Sequence, residues 1–446
     1  MRGLMEAHRV MLLGLANLLI PIAITVFASG FFPYKTFLPG TASYDDCNAA
    51  VADGAPFDKV VFVVIDALRS DFVYSTRSGF TYTQSLIRSG AALPFTAHAM
   101  SPTITMPRIK AMTTGSVPSF LDVILNFAEA DTSSTLALQD TWPTQLKNKP
   151  GGKLVFYGDD TWLKLFPNTF SRADGTSSFF VSDFTEVDNN VTRHLAFELG
   201  KGDWNGMILH YLGLDHIGHK SGPDSVHMVP KQSEMDEIIK LIYEAIESKE
   251  SLASTLLVLC GDHGMNDAGN HGGSTPGETS PALIFMSPKL RKISTGLVCP
   301  VNTTQNEFQY YKHVEQSDIA PTLAGLLGFP VPLNNLGIFI PEFLDLWTND
   351  NEKIQLLYQN AKQVLNVVEA TFGPMQFEPK YEVESHPCLD LGDAGKLQCL
   401  WIAMEGKKSS VDVKLKALLK VCEYLTSQTV PSAELKVPSG CPGRHG

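Results

Sequence analysis

The chain has 446 residues, of which 44% are hydrophobic and 18% charged, and a formal net charge of -12. This suits a globular protein with a sizeable core, in one large α/β domain or two to three ordinary ones. The acidic balance and the absence of a Lys/Arg stripe exclude a nucleic-acid binder.

The first element is an uncharged run over residues 11–32, MLLGLANLLIPIAITVFASGFF. It exceeds the roughly 7–15 residues of a signal-peptide core and reaches the ~20 that a helix needs to span a bilayer. Arg2 and Arg9 precede it, so the positive-inside rule makes residues 1–35 a cytosolic stub and transmembrane anchor. The rest of the chain then faces the secretory lumen or the outside. A signal peptide cleaved after Ser29 is the competing reading and leads to the same compartment. The sequons at Asn190 and Asn302 fit that side. The cysteine count is odd, at seven. Cys260 reads as a free core thiol, while Cys388 and Cys399 are close enough in sequence to pair in an oxidising lumen.

Past the anchor come short apolar runs: KVVFVVID (59–66), KLVFYGDD (153–160), GMILHYLGLDH (206–216), TLLVLCGDH (255–263) and ALIFMSP (282–288). Near-continuous apolar strands of this kind belong to a parallel sheet buried on both faces. Between them lie helical patterns. In SEMDEIIKLIYEAIES, Met235, Ile238, Ile239, Ile242 and Ile246 share a face and Ser233 is the expected N-cap. The alternation predicts an α/β sandwich with its ligand site at the C-terminal strand ends. Leu356, Tyr358, Ala361, Val364, Leu365 and Val368 predict a later helix, and Leu415, Leu418, Leu419, Cys422 and Leu425 another, before a loose tail.

Those strand ends carry the chemistry. Asp66 closes the first run; its bland reading is a helix N-cap, but a buried carboxylate needs a partner. Asp215 and His219 are four apart after the third run and would share one helical face. Asp262, His263 and His271 sit on the glycine-rich loop GDHGMNDAGNHGG. Each alone is more simply a satisfied polar residue. Together they form an oxygen/nitrogen donor set suited to zinc, with manganese the second choice. His216 and Asp267 fall outside it. In SPTITMPRIKAMTTGS, Thr103 and Thr105 precede Pro107, a first-turn residue, so Thr105 lies at or near a helix N-terminus that favours a phosphoryl anion. A threonine hydroxyl needs activation, which a metal supplies; a plain capping role is the alternative. Arg108 either meets the anion or faces solvent.

The segments VVIDALRSDF, SPTITMPRIKAMTTGS, GLDHIGHKSGP, GDHGMNDAGNHGG and QSDIAPTLAGLLGFPVPLNNLG resemble the alkaline phosphatase superfamily, and within it the glycosylphosphatidylinositol (GPI) ethanolamine phosphate transferases, most like the second of them. The resemblance covers about residues 10–345 and implies an alkaline-phosphatase-like sandwich with a mostly parallel sheet behind one transmembrane helix. It implies two zinc ions, with manganese as the substitute: Asp66, Thr105, Asp262 and His263 for one, and Asp215, His219 and His271 for the other. It selects Thr105 over Thr103 as nucleophile and makes Asn126 the holder of a phosphate oxygen. The implied activity is transfer of phosphoethanolamine from phosphatidylethanolamine to a mannose of the GPI precursor, the second mannose. It proceeds through a phospho-threonine intermediate in the lumen of the endoplasmic reticulum, with a small membrane subunit as stabilising partner. The expected division is 1–35 anchor, 36–350 catalytic domain and 351–446 helical segment and tail. The family continues into a multi-span membrane region, whereas this chain stops at Gly446. The alternatives are a membrane-anchored phosphodiesterase or pyrophosphatase using water, or an inactive truncated lumenal subunit. TMPR resembles a sulfatase signature only loosely and no cysteine for formylglycine conversion sits there.

Overall fold

The computed structural model describes residues 2–31, 37–44, 54–117, 136, 139–302, 308–372 and 411–429. Eight strands form one mixed sheet: β1 (Lys59–Ile65), β2 (Ala92–His98), β3 (Leu154–Asp159), β4 (Arg172–Thr176), β5 (Gly206–Tyr211), β6 (Thr255–Cys260), β7 (Ala282–Met286) and β8 (Lys312–Glu315). Their order is β4-β3-β5-β1-β6-β7-β2-β8. Strand β7 alone runs against its neighbours; the other adjacent pairs are parallel. The sheet is therefore mostly parallel, and β1, β2, β3, β5 and β6 all end at the same edge.

The central strands are apolar on both faces because both faces are covered. Along β1, Val60, Phe62 and Val64 enter one core cluster while Val61, Val63 and Ile65 enter the other, all essentially inaccessible. The helices that matter below are α1 (Arg2–Phe31), α2 (Thr105–Thr114), α3 (Glu186–Thr192), α4 (Gly213–Ser221), α5 (Met228–Ser248), α6 (Ile319–Leu327), α7 (Asp350–Phe372) and α8 (Val411–Thr429). Ile109 and Met112 of α2, Leu323 of α6, Val364 of α7 and Leu418 of α8 line the first core. Val191 of α3, Leu214 and Ile217 of α4 and Ile239 and Ile242 of α5 line the second.

Helix α5 starts earlier than its apolar pattern predicts. His227, not Ser233, occupies the N-cap, and Ser233 lies inside the helix with its hydroxyl 3.5 Å from the Gly79 carbonyl. Pro230 falls in the first turn, where its missing N–H costs nothing, so the helix is free to begin before it. Helix α7 is tied to the residues before it: Phe339 N donates to Asn360 Oδ1 at 2.9 Å, and Gln363 Nε2 donates to the Leu333 and Asn335 carbonyls.

In α1, residues 8–27 are long and apolar enough to cross a membrane, and none of them is buried. The stretch that follows, residues 37–44, is strapped to the main body. Leu38 N donates to Asn334 Oδ1 and Asn334 Nδ2 returns a bond to Leu38 O, at 2.8 and 2.9 Å. Ala42 N donates to Asp140 Oδ2 at 2.8 Å and Gln145 Nε2 donates to Ala42 O at 3.0 Å. Cys260, Cys299 and Cys422 are buried free thiols; Cys388 and Cys399 lie outside the described residues.

Candidate active site

The candidate residues sit on the turns, loop and helix starts that follow strands at one edge of the sheet. Asp66 follows β1 directly. The next residue, Ala67, has φ 57° and donates its N–H to Asp262 Oδ1 at 3.2 Å, so the turn after β1 is locked to the turn after β6. Asp215 and His219 stand one turn apart on α4, which begins two residues after β5. Leu212 supplies no side-chain cap to α4. Asp188 of α3 substitutes for it, accepting from Leu212 N and Gly213 N at 3.0 and 3.1 Å, and Lys231 of α5 pairs with Asp188 at 3.1 Å. Thr105 is the first residue of α2, whose N-cap, Ile104, likewise makes no side-chain cap bond.

Two clusters result. In the first, Thr105 Oγ1 lies 3.3 Å from Asp66 Oδ2 and 3.4 Å from His263 Nε2. His263 Nε2 is also 3.4 Å from Asp66 Oδ1 and 3.3 Å from Asp262 Oδ2. In the second, His219 Nε2 is 3.0 Å from His271 Nε2 and 3.4 Å from Asp215 Oδ2, and His271 Nε2 is 3.7 Å from Asp215 Oδ1. The rings of His263 and His271 stack at 4.0 Å, so the clusters adjoin.

The donor set fits divalent metal. Asp66 Oδ1, Asp215 Oδ1 and Asp262 Oδ2 are buried without a hydrogen-bond partner, a costly state for a carboxylate that nothing neutralises. Burial raises the pKa of all three, and the charges of Asp262 and Asp215 raise Asp66 further. The histidines go the other way: burial holds His263 and His271 down at about 3, so both are neutral. Their Nδ1 atoms face the Gly264 and Thr103 carbonyls, each at 2.9 Å. A carbonyl only accepts, so each Nδ1 carries the proton and each Nε2 offers its lone pair to the cluster. Asp215, His219 and His271 lie close enough together to hold one ion, as do Asp66 and Asp262 with His210.

The glycine-rich loop is held by groups outside the clusters. Glu278 accepts from Gly273 N at 3.2 Å and from Thr275 N at 2.9 Å. Gln316, from the QSDIAPTLAG segment, donates to the Gly261 and Asp262 carbonyls. Gly269 has φ +75°, and a Cβ there would meet the Gly218 carbonyl at 1.9 Å, so only glycine fits. Thr103 also belongs to this bracing. Its hydroxyl donates to Gly273 O and accepts from Gly272 N, both at 2.9 Å, and is spent there. Of the two threonines, Thr105 is the one that faces the clusters.

Asp267 is exposed on the loop. His216 is buried with Nδ1 on Asp183 O at 2.7 Å, away from both clusters. Arg108 does not face solvent, one of its two expected positions; it is 1% exposed, and burial lowers its pKa to about 10 against the opposing charges of Asp262 and Glu315. Asn126 lies outside the described residues. His210, inside β5, escaped the sequence reading, as did Asp159, buried at the end of β3. For His210 the signal was a lone ionisable residue within an apolar run, a position that demands a partner; for Asp159 it was a carboxylate closing a strand, as Asp66 does.

The mostly parallel sheet, with Asp/His clusters at its C-terminal edge, has an alkaline-phosphatase-like α/β fold. Residues 60–275 match the family model of type I phosphodiesterase / nucleotide pyrophosphatase. The chain is similar in sequence to the GPI ethanolamine phosphate transferases. It is 63% identical to GPI ethanolamine phosphate transferase 2 of Aspergillus fumigatus over 85% of this chain and 49% of that protein. It is 57% identical to the same transferase of Aspergillus oryzae over 87% of this chain and 47% of that one. The chain thus spans about half the length of the curated relatives it matches. Among solved structures, murine ectonucleotide pyrophosphatase/phosphodiesterase 5 is similar over 61% of this chain and 96% of its own, at 14% identity and a TM-score of 0.44.

Proposed function

We propose that the chain transfers phosphoethanolamine from phosphatidylethanolamine to the second mannose of the GPI precursor, through a covalent intermediate on Thr105. The observation that carries this is the Thr105 hydroxyl, 3.3 Å from Asp66 and 3.4 Å from His263, amid buried carboxylates with unpaired oxygens. Asp66, Thr105, Asp262 and His263 would hold one zinc ion, and Asp215, His219 and His271 the other. Bound there, the ions supply the positive charge that lowers a hydroxyl pKa and offsets charge on the phosphoryl oxygens.

In the first half-reaction, the bond from Thr105 Oγ1 to phosphorus forms as the bond from phosphorus to the glycerol oxygen breaks. The Thr105 proton ends on the departing diacylglycerol. In the second, the mannose oxygen takes the phosphorus and its proton returns to Thr105. The uncapped start of α2 favours the phosphoryl anion, and Asn126 holds one of its oxygens. Helix α1 anchors the chain in the endoplasmic reticulum membrane with the site in the lumen. The lipid, the glycan and a small stabilising membrane subunit belong to the same proposal.

The test is transfer of label from phosphatidylethanolamine to a GPI precursor by the full chain in membranes. Thr105→Ala should lose both transfer and the labelled protein intermediate while keeping its zinc. Full transfer by that variant overturns the reading. The phosphodiesterase match favours a second reading, with water as acceptor; free phosphoethanolamine in place of labelled glycan would establish it.

A further inference from the structure

His210 is wholly buried in β5, and its Nε2 has no hydrogen-bond partner. That nitrogen lies 3.5 Å from Asp66 Oδ2. On proximity alone, His210 joins Asp66 and Asp262 as a third ligand for one ion. The other ring nitrogen decides against this. Trp162 Nε1 sits 3.0 Å from His210 Nδ1, and an indole N–H is a donor and nothing else. His210 Nδ1 must therefore accept, so the ring proton resides on Nε2. An N–H has no lone pair for a metal; it has a proton for a carboxylate.

The arrangement is held from both sides. Trp162 is inaccessible and stacks between Phe156 and Phe166. On the neighbouring strand, Gly158 pairs with His210 in register, and a Cβ on Gly158 would lie 2.3 Å from the His210 carbonyl. Strand β3 therefore lies tight against the β5 backbone at the residue that carries the imidazole.

We infer that His210 is a positioning residue: with its tautomer set by Trp162, it directs Nε2–H at Asp66 Oδ2 and turns Oδ1 of the same carboxylate toward the ion. The inference rests on the reading of Asp66 as a metal ligand. Outer-shell donors of this type are worth about 10–100-fold in metal affinity.

The test is zinc stoichiometry and affinity, by elemental analysis and chelator competition, on the full chain in detergent. The unfolding temperature of the metal-stripped forms serves as the control for folding. His210→Gln offers an amide N–H near the position of Nε2 but cannot coordinate through it. It should keep two ions per chain with affinity within about threefold of wild type, because the donor survives. His210→Phe keeps bulk without a donor and should bind about 10–100-fold more weakly. Trp162→Phe frees the tautomer and should fall between them. Loss of one ion in His210→Gln would make His210 a ligand and overturn the inference, as would wild-type affinity in His210→Phe. If wild type itself binds no zinc, the metal reading of the site fails first, before any variant is compared.

Discussion

Replacing Lys231 with methionine tests how α4, and with it Asp215 and His219, is held in place. Lys231 is 5% exposed and its ammonium lies 3.1 Å from Asp188 Oδ2, in a carboxylate with no exposure at all. Its other partner, Glu234, is 2.8 Å away but 42% exposed, and such a surface contact is worth less than about 1 kcal/mol. The effect therefore comes from Asp188. Without Lys231, Asp188 keeps only the N–H groups of Leu212 and Gly213. Removing one member of a buried pair costs about 3–5 kcal/mol, because the other charge stays buried. Burial already raises the Asp188 pKa and Lys231 opposes it. In the variant the carboxyl protonates more readily, so the loss should shrink as pH falls from 8 to 5. Asp188→Asn added to Lys231→Met removes the stranded charge and should recover most of the stability. Denaturant unfolding of the zinc-loaded chain, with zinc content measured alongside, reads both effects. A single-variant loss below about 1 kcal/mol, or a double variant no better than the single, would refute the argument.

Gly269→Ala places a methyl group 1.9 Å from the Gly218 carbonyl at a φ of +75°. It should cost more than about 2 kcal/mol and lower the metal bound per chain by displacing His271, as elemental analysis would show. Asp318 is raised to about 7 by burial, against its bonds from Ile338 N and Glu315 N. Its folded pKa exceeds the unfolded 3.8, so its contribution to stability is fully present below that value and is lost as pH rises through about 7. Asp318→Asn turns its amide NH2 toward one of those two N–H groups, so it should melt below wild type at acid pH, with the gap narrowing toward pH 8 as the buried wild-type carboxyl ionises; a gap that stays constant across that range would contradict this.

Five strands were legible because each is a near-continuous apolar run, the mark of burial on both faces. The other three were not. Strand β2 contains Pro94, which argues against a strand, and β4 and β8 are short and polar at the two edges of the sheet. The reversal of β7 left no trace in its sequence, since ALIFM is as apolar as its parallel neighbours. At the site, strand-end residues could be read because strand ends are where polar groups meet a sheet's ligand. His210 lies within an apolar run and Asp159, at the end of β3, is followed by a second aspartate; the sequence could not say which partners Trp162 and Thr161 supply. The separation of Thr103 from Thr105 likewise depends on which hydroxyl the loop at Gly272 and Gly273 captures, a matter of distance between segments far apart in the chain.

The strap over residues 37–44 carries a consequence for encounter rates. Only five residues separate Phe31, the last of α1, from Phe37, a reach of at most about 20 Å. If α1 spans a bilayer, the bonds from Leu38 and Ala42 to Asn334, Asp140 and Gln145 make that reach a short leash on the whole folded body. A site so tethered meets lipid headgroups at an effective concentration on the order of millimolar. Diffusion from the bulk then drops out of the rate. Cutting the strap's bonds, with the anchor left whole, would loosen the orientation of the body on its leash without lengthening the covalent tether.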